Sequence, residues 1–157
     1  MKKVNMAIVG ATGMVGRTFI KVLEERNLPI NDIYFFSSSR SAGSKIIYNG
    51  KEYTVEELTE NSFDRGIDIA LFSAGASVSE KFAPIAASKG CVVVDNSSAW
   101  RMDPKVPLVV PEVNPQDIEW HNGIIANPNC STIQAVIALN PLHKRYRIKR
   151  IVYTTFQ

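Results

Sequence analysis

This chain of 157 residues is poor in the residue types that would give it a metal site, a disulfide framework or a membrane anchor. It has two cysteines, two histidines and no long apolar run. No apolar stretch approaches the roughly 20 residues that a bilayer-spanning helix requires. The start, Met1-Lys2-Lys3, leads into a short strand and a glycine turn rather than a signal-peptide core and cleavage site. Neither cysteine has a C-x-x-C partner, so no structural zinc site is expected. Cys91 opens an apolar strand and Cys130 follows an Asn-Pro-Asn turn, which predicts two separate thiols in a cytoplasmic protein. His121 and His143 fall in a polar loop and at a helix end, where solvation is the default.

Excess charge is equally scarce. The net +3 resides in one cluster, Lys144, Arg145, Arg147, Lys149 and Arg150; without it, 13 basic groups face 15 acidic ones. A nucleic-acid surface spreads its phosphate contacts over a face, so no nucleic-acid partner is expected. Cations in that place suit a helix C-terminus.

What is present is a regular alternation of strands and helices. Residues 4–9 read as a strand, followed by a helix over 14–26 with Val15, Phe19, Val22 and Leu23 on one face. A strand over 33–36 precedes a polar serine loop, and residues 45–55 form a hairpin turning at Asn49-Gly50. A strand over 67–72, a helix over 79–88 closed by Lys89-Gly90 and an apolar strand from Cys91 to Val94 come next. A long loop holds a short strand at Leu108-Val109-Val110, and Gly123 to Ala126 leads to the cysteine turn. The helix beyond it carries Ile133, Val136, Ile137 and Asn140 as a stripe, and Ile148 to Phe156 reads as a final strand with an exposed edge. The chain is therefore expected to be one α/β domain, Rossmann-like and doubly wound, with a mostly parallel sheet.

Gly10, Gly13 and Gly16 stand in G-x-x-G-x-x-G spacing between the first strand and helix. Glycines there permit close approach of a pyrophosphate to backbone N–H groups and a helix dipole. A tight turn in an unrelated α/β protein is the competing reading. The second strand ends in Ser37-Ser38-Ser39-Arg40-Ser41, with no carboxylate in that loop to bind ribose hydroxyls. Arg40 can pair with a 2′-phosphate, which points to NADP; a solvated serine turn is the alternative.

Cys130 lies between Asn129 and Ser131 at a strand-to-helix junction. First-turn N–H groups stabilise a thiolate there, which marks Cys130 as the nucleophile and Cys91 as core filler. Asn129 can donate to an oxyanion on the attacked carbonyl. Arg101 sits in the loop Asp95-Asn96-Ser97-Ser98-Ala99-Trp100-Arg101, beyond the carboxyl end of a strand, where α/β proteins bind ligands. It suits a phosphate or carboxylate, or else a salt bridge to Asp103. Asn96 and Ser97 can hydrogen-bond nicotinamide or substrate.

These motifs, with Ser73-Ala74-Gly75, Pro111-Glu112-Val113-Asn114 and Asn127-Pro128-Asn129-Cys130-Ser131-Thr132, occur in one order along nearly the whole chain. In that order the chain resembles the N-terminal part of bacterial-type aspartate-semialdehyde dehydrogenases. The resemblance implies an NADP-dependent oxidoreductase, a homodimer or homotetramer. Such an enzyme interconverts β-aspartyl phosphate and aspartate semialdehyde plus phosphate, on the route to lysine, threonine, methionine and diaminopimelate. It assigns Cys130 as nucleophile, Asn129 as its active-site neighbour, Gln157 as substrate-orienting glutamine and Arg101 as phosphate binder. The NADP site would comprise Gly10, Thr12, Gly13, Met14, Val15, Gly16, Ser38, Arg40, Ser41, Ser73, Ala74, Gly75 and Asn96. Residues 1–157 would form the cofactor domain and end near the boundary with a second, α+β domain. The family's catalytic histidine, its substrate-carboxylate arginine and much of its dimer surface belong to that second domain and have no counterpart here. The alternatives are N-acetyl-glutamyl-phosphate reductase and a non-catalytic NADP-binding module.

Overall fold

An extended backbone places successive side chains on opposite faces of a strand, and in the near-continuously apolar central strands the fold uses both faces. The computed structural model describes residues 3–156. In chain order the elements are β1 (Val4–Val9), α1 (Met14–Arg26), β2 (Ile30–Ser37), β3 (Lys45–Tyr48), β4 (Lys51–Thr54), β5 (Glu56–Glu57), β6 (Ile69–Phe72), α2 (Ala76–Ser88), β7 (Val92–Asp95), β8 (Ile124–Ala126) and α3 (Cys130–Tyr146). Short 3₁₀ turns occupy Glu60–Phe63 and Pro115–Trp120. Six strands pair in parallel in the order β5-β2-β1-β6-β7-β8, and β3-β4 form a separate antiparallel hairpin.

Phe36, Val9, Phe72 and Val93 turn to one face and pack on Ala83 and Ala86 of α2. Phe35, Ile8 and Met6 turn to the other, against Ile20 and Leu23 of α1. The hairpin covers this second face with Tyr48, and Tyr53 meets Phe35 edge-on at 5.4 Å between ring centroids. Its turn has positive φ at both Asn49 (48°) and Gly50 (74°), the geometry whose twist matches two-residue hairpins. The doubly wound parallel architecture is thus as expected.

Four details differ from the expectation. The buried face of α1 is Gly16, Ile20 and Leu23, whereas Val15 and Val22 are exposed. The close helix–turn contact at Gly16 rotates the helix away from the face that apolar periodicity alone selects. Leu108 makes only an isolated bridge to Ala126. Residues 148–156 form no strand. The outer edge of β8 is already engaged there, since Val109 donates to the Ala126 carbonyl at 3.0 Å and Ala126 donates to that of Pro107 at 2.9 Å. A strand without a free edge to pair with leaves its polar backbone to solvent. The tail is instead tied to α3 by the Tyr153 hydroxyl, which donates to the Ser131 carbonyl at 2.7 Å. The expected apolar stripe of α3 has no fully buried member. It borders a groove of about 380 Å³ lined in part by Val136, Leu139, His143 and Ile148. His143, Lys144 and Arg145 do occupy the last turn of α3, as the dipole argument anticipates. No helix among the described residues is long and apolar enough to cross a membrane.

Candidate active site

Strand β1 lies where the winding direction reverses, and the carboxyl ends of β1, β2, β5 and β6 open into one cleft of about 450 Å³. Crevices at such reversals are the usual ligand sites of open α/β sheets. Gly10, Thr12 and Gly13 form its floor, Ser73 and Ala74 one side, and Ser37, Ser38, Ser39 and Ser41 another. Gly10 adopts φ +86°, and a Cβ there would strike the Ser73 carbonyl. Gly13 donates to the Gly10 carbonyl at 3.1 Å, which closes the turn before α1. Thr12 Oγ1 and Ser37 Oγ are 2.8 Å apart and join the turn to the end of β2. A backbone so closely cradled, with no side chain over it, fits a pyrophosphate.

Other expected cofactor residues lie off this cleft. Met14 is 86% exposed at the start of α1, and Gly75 is the N-cap of α2 with φ +92°. Arg40 stands exposed on the turn after Ser39, outside the cleft walls. Four wall residues escaped sequence reasoning. Val78, Phe82 and Leu58 form an apolar side, and Glu57 brings a carboxylate. Glu57 and Leu58 reach the end of β2 only through the β5–β2 pairing, and Val78 and Phe82 line the cleft from α2, so no local motif marks them.

The second half of the site lies at the ends of β7 and β8. Asn127 Nδ2 donates to Asn96 Oδ1 at 2.7 Å, binding the two strand ends together. The Arg101 guanidinium donates from Nε to the Asn127 carbonyl at 2.9 Å and from Nη2 to that of Asn96 at 3.0 Å. The alternative salt bridge to Asp103 does not form; Asp103 Oδ1 accepts the Lys105 N–H at 2.8 Å. Among the described residues Arg101 has no acidic partner, so two neutral carbonyls orient its charge without cancelling it. Beneath this loop Asp95 is fully buried, and its Oδ2 accepts the Ser97 hydroxyl at 2.6 Å. Ser97 Oγ in turn accepts the Ala99 N–H at 3.2 Å. Ser97 is therefore a strut of the loop that carries Arg101.

Asn129 caps α3, with Oδ1 accepting the Ser131 N–H at 3.0 Å. Such caps are worth about 0.5–2 kcal/mol. Cys130 is the first residue of the helix and is exposed, whereas Cys91 is 1% exposed in the core. Burial, reinforced by the Asp68 carboxylate, pushes the Cys91 thiol up to about 12. The two thiols are free, as expected. Iodoacetamide at neutral pH is accordingly expected to alkylate Cys130 first, with Cys91 labelled only on unfolding. Mass-resolved peptide mapping checks this, and labelling of Cys91 ahead of Cys130 would contradict it. His121 is not merely solvated, since its Nδ1 accepts the Gly123 N–H at 3.0 Å. Gln157 lies outside the described residues. No group of three metal-ligating side chains occurs among the described residues.

The profile of the family described as "Semialdehyde dehydrogenase, NAD binding domain" matches residues 5–121. The chain belongs to the semialdehyde dehydrogenase family. It is 62% identical over 155 residues to the aspartate-semialdehyde dehydrogenase of Aquifex aeolicus, an alignment covering 97% of this chain and 45% of that one. A solved structure of aspartate semialdehyde dehydrogenase II from Vibrio cholerae, complexed with ASA, superposes with a TM-score of 0.87. It is 49% identical and aligns with 92% of this chain and 47% of its own. The Candida albicans aspartate semialdehyde dehydrogenase solved with NADP has a TM-score of 0.80 at 27% identity, over 92% and 48% of the two chains. This chain thus spans less than half the length of these relatives. An NAD(P)-type cofactor follows from the family and from the fold.

Proposed function

We propose that this chain is the NADP-binding, cysteine-bearing domain of an aspartate-semialdehyde dehydrogenase. The observation that carries the reading is the shared edge of the sheet. The Gly10–Gly13 cradle, the unpaired charge of Arg101 and the exposed thiol of Cys130 all stand at the carboxyl ends of the parallel strands.

Phosphate groups of the cofactor would rest on the Gly10–Gly13 turn. Arg40 would swing from its exposed turn to a 2′-phosphate, supplying one charge-assisted hydrogen bond of about 1.5–3 kcal/mol and a roughly 10- to 150-fold preference for NADP over NAD. Bound, the cofactor supplies hydride acceptance or donation. Arg101 would hold inorganic phosphate or the phosphoryl group of the substrate. In the oxidative direction the Cys130 thiolate attacks the aldehyde carbon to give a thiohemiacetal, and loss of hydride leaves a thioester. Asn129 would present its amide protons to the oxyanion, while its carbonyl oxygen holds the first turn of α3. Phosphate oxygen at Arg101 then attacks the thioester carbon, the C–S bond breaks, and Cys130 recovers its thiolate beside the acyl phosphate. Biosynthetic flow runs the same steps backwards. Met14, Val15, Gly16, Gly75 and Asn96 complete the proposed cofactor surround, and Gln157 the substrate contacts. A homo-oligomeric enzyme is part of the same reading.

Acyl transfer alone tests the assignment. With β-aspartyl phosphate and no cofactor, Cys130 is expected to gain one aspartyl group while phosphate leaves, as read by intact mass and peptide mapping. N-acetyl-glutamyl phosphate should acylate far less. Equal labelling by both acyl phosphates, or labelling that survives Cys130→Ala, would defeat the reading.

A further inference from the structure

The cofactor cleft contains one feature opposed to the serine–arginine loop. Glu57 lines it beside Ser38, Ser39 and Ser41. Glu57 is the last residue of β5 and the in-register partner of Ser37, the last residue of β2. Paired residues of neighbouring strands share a face of the sheet. Ser37 lies two residues beyond Phe35, hence on the α1 face, and the serine loop departs from it. Leu58, one residue on, packs on the opposite cluster and donates its N–H to the Ser37 carbonyl at 2.9 Å. Glu57 is thereby directed to the serine side of the cleft, and Leu58 to its apolar wall.

The neighbouring charges do not neutralise it. Arg65 is committed to Glu56, donating from Nη1 and Nη2 to the two carboxylate oxygens at 2.7 and 2.5 Å. That pairing holds the Glu56 carboxyl below the usual carboxylate range. Among the described residues Glu57 makes no ion pair. Folds of this type that prefer NAD place a carboxylate at the end of the second strand to accept the ribose hydroxyls. Here β2 ends in serine, and the neighbouring strand delivers a carboxylate to the same level.

We propose that Glu57 is a cofactor-specificity residue that accepts from the adenosine ribose hydroxyls of NAD and opposes the 2′-phosphate of NADP. It therefore moderates the preference that Arg40 creates and leaves the site able to take NAD. This rests on the NADP-site reading above, and the test separates the two.

The experiment is calorimetric titration of the chain with NAD and NADP, for the native sequence, Glu57→Gln and Arg40→Ala. Glu57→Gln is expected to weaken NAD and tighten NADP, each by about 2- to 5-fold, the scale of an exposed charge interaction. The NADP:NAD ratio then rises by about 4- to 25-fold. Arg40→Ala should lower the same ratio. Opposite signs for the two cofactors are the signature, because loss of a merely structural contact would weaken both. Glu57→Ala is a second variant, expected to move the ratio in the same direction as Glu57→Gln. If both cofactors bind and Glu57→Gln shifts them in the same direction, or leaves the ratio unchanged, the role of Glu57 is overturned. Should the ratio respond to Glu57→Gln but not to Arg40→Ala, Glu57 stands and the Arg40 assignment falls. Binding of neither cofactor would overturn both.

Discussion

Aspartate semialdehyde is expected to be oxidised by this 157-residue chain about 10²–10⁴-fold more slowly than by a full-length relative such as the Aquifex aeolicus enzyme. The factor is that of a missing acid–base group. Cys130 starts α3, and His143 lies thirteen residues further along the same helix, about 20 Å away at 1.5 Å per residue. His121 precedes β8, so that strand separates it from the cysteine end of the sheet, and its Nδ1 is occupied by the Gly123 N–H. Neither histidine reaches the thiol or a thiohemiacetal oxygen. Exposure of Cys130 also leaves a thioester open to water. The assay follows NADPH formation with aspartate semialdehyde, NADP and phosphate, with Cys130→Ala as the blank. Cys130-dependent turnover within about tenfold of the relative would show that the described residues already contain the base.

Gly10→Ala should be the most damaging single methyl group added to the cofactor cradle. The position has φ +86°, and the new Cβ would meet the Ser73 carbonyl oxygen and lie 2.7 Å from its carbon. Both atoms are backbone at the end of β6, which is hydrogen-bonded to β1, so they cannot rotate aside as a side chain would. Strain of about 1–3 kcal/mol and overpacking of about 1–3 kcal/mol combine to roughly 2–6 kcal/mol. For a domain of this size that lowers Tm by about 4–24 °C, and spreading β1 from β6 should weaken dinucleotide binding too. Gly43→Ala is the control. Gly43 has nearly the same φ, +85°, but nothing stands within 4 Å of its Cβ, so only the backbone strain remains. Thermal and urea unfolding of both variants measures the difference. Equal losses of stability would mean that the β1–β6 approach imposes no steric limit at Gly10.

The amino-acid sequence by itself determined the backbone states. The glycine turn at Gly10–Gly16, the Asn49-Gly50 hairpin and the helix beginning at Cys130 each depend on interactions within a few residues, whereas the apolar runs mark only where strands can form. The placement of Cys130 and Arg101 was equally legible, because a cysteine at a helix start and an arginine beyond a strand end are local arrangements. Three matters were decided only by tertiary structure. The rotation of α1 was set by contact between Gly16 and the turn before it, so Ile20 rather than Val22 faces the sheet. Residues 148–156 have strand-like composition, yet a strand exists only through a partner, and at Ala126 the outer edge of β8 was already engaged by residues 107–109. Glu57 and Leu58 became walls of the cofactor cleft because β5 pairs with the end of β2. That pairing joins residues twenty apart in the chain, beyond the reach of any local pattern. Local sequence sets what each segment can be, whereas hydrogen-bond pairing between distant edges sets which side chains share a site.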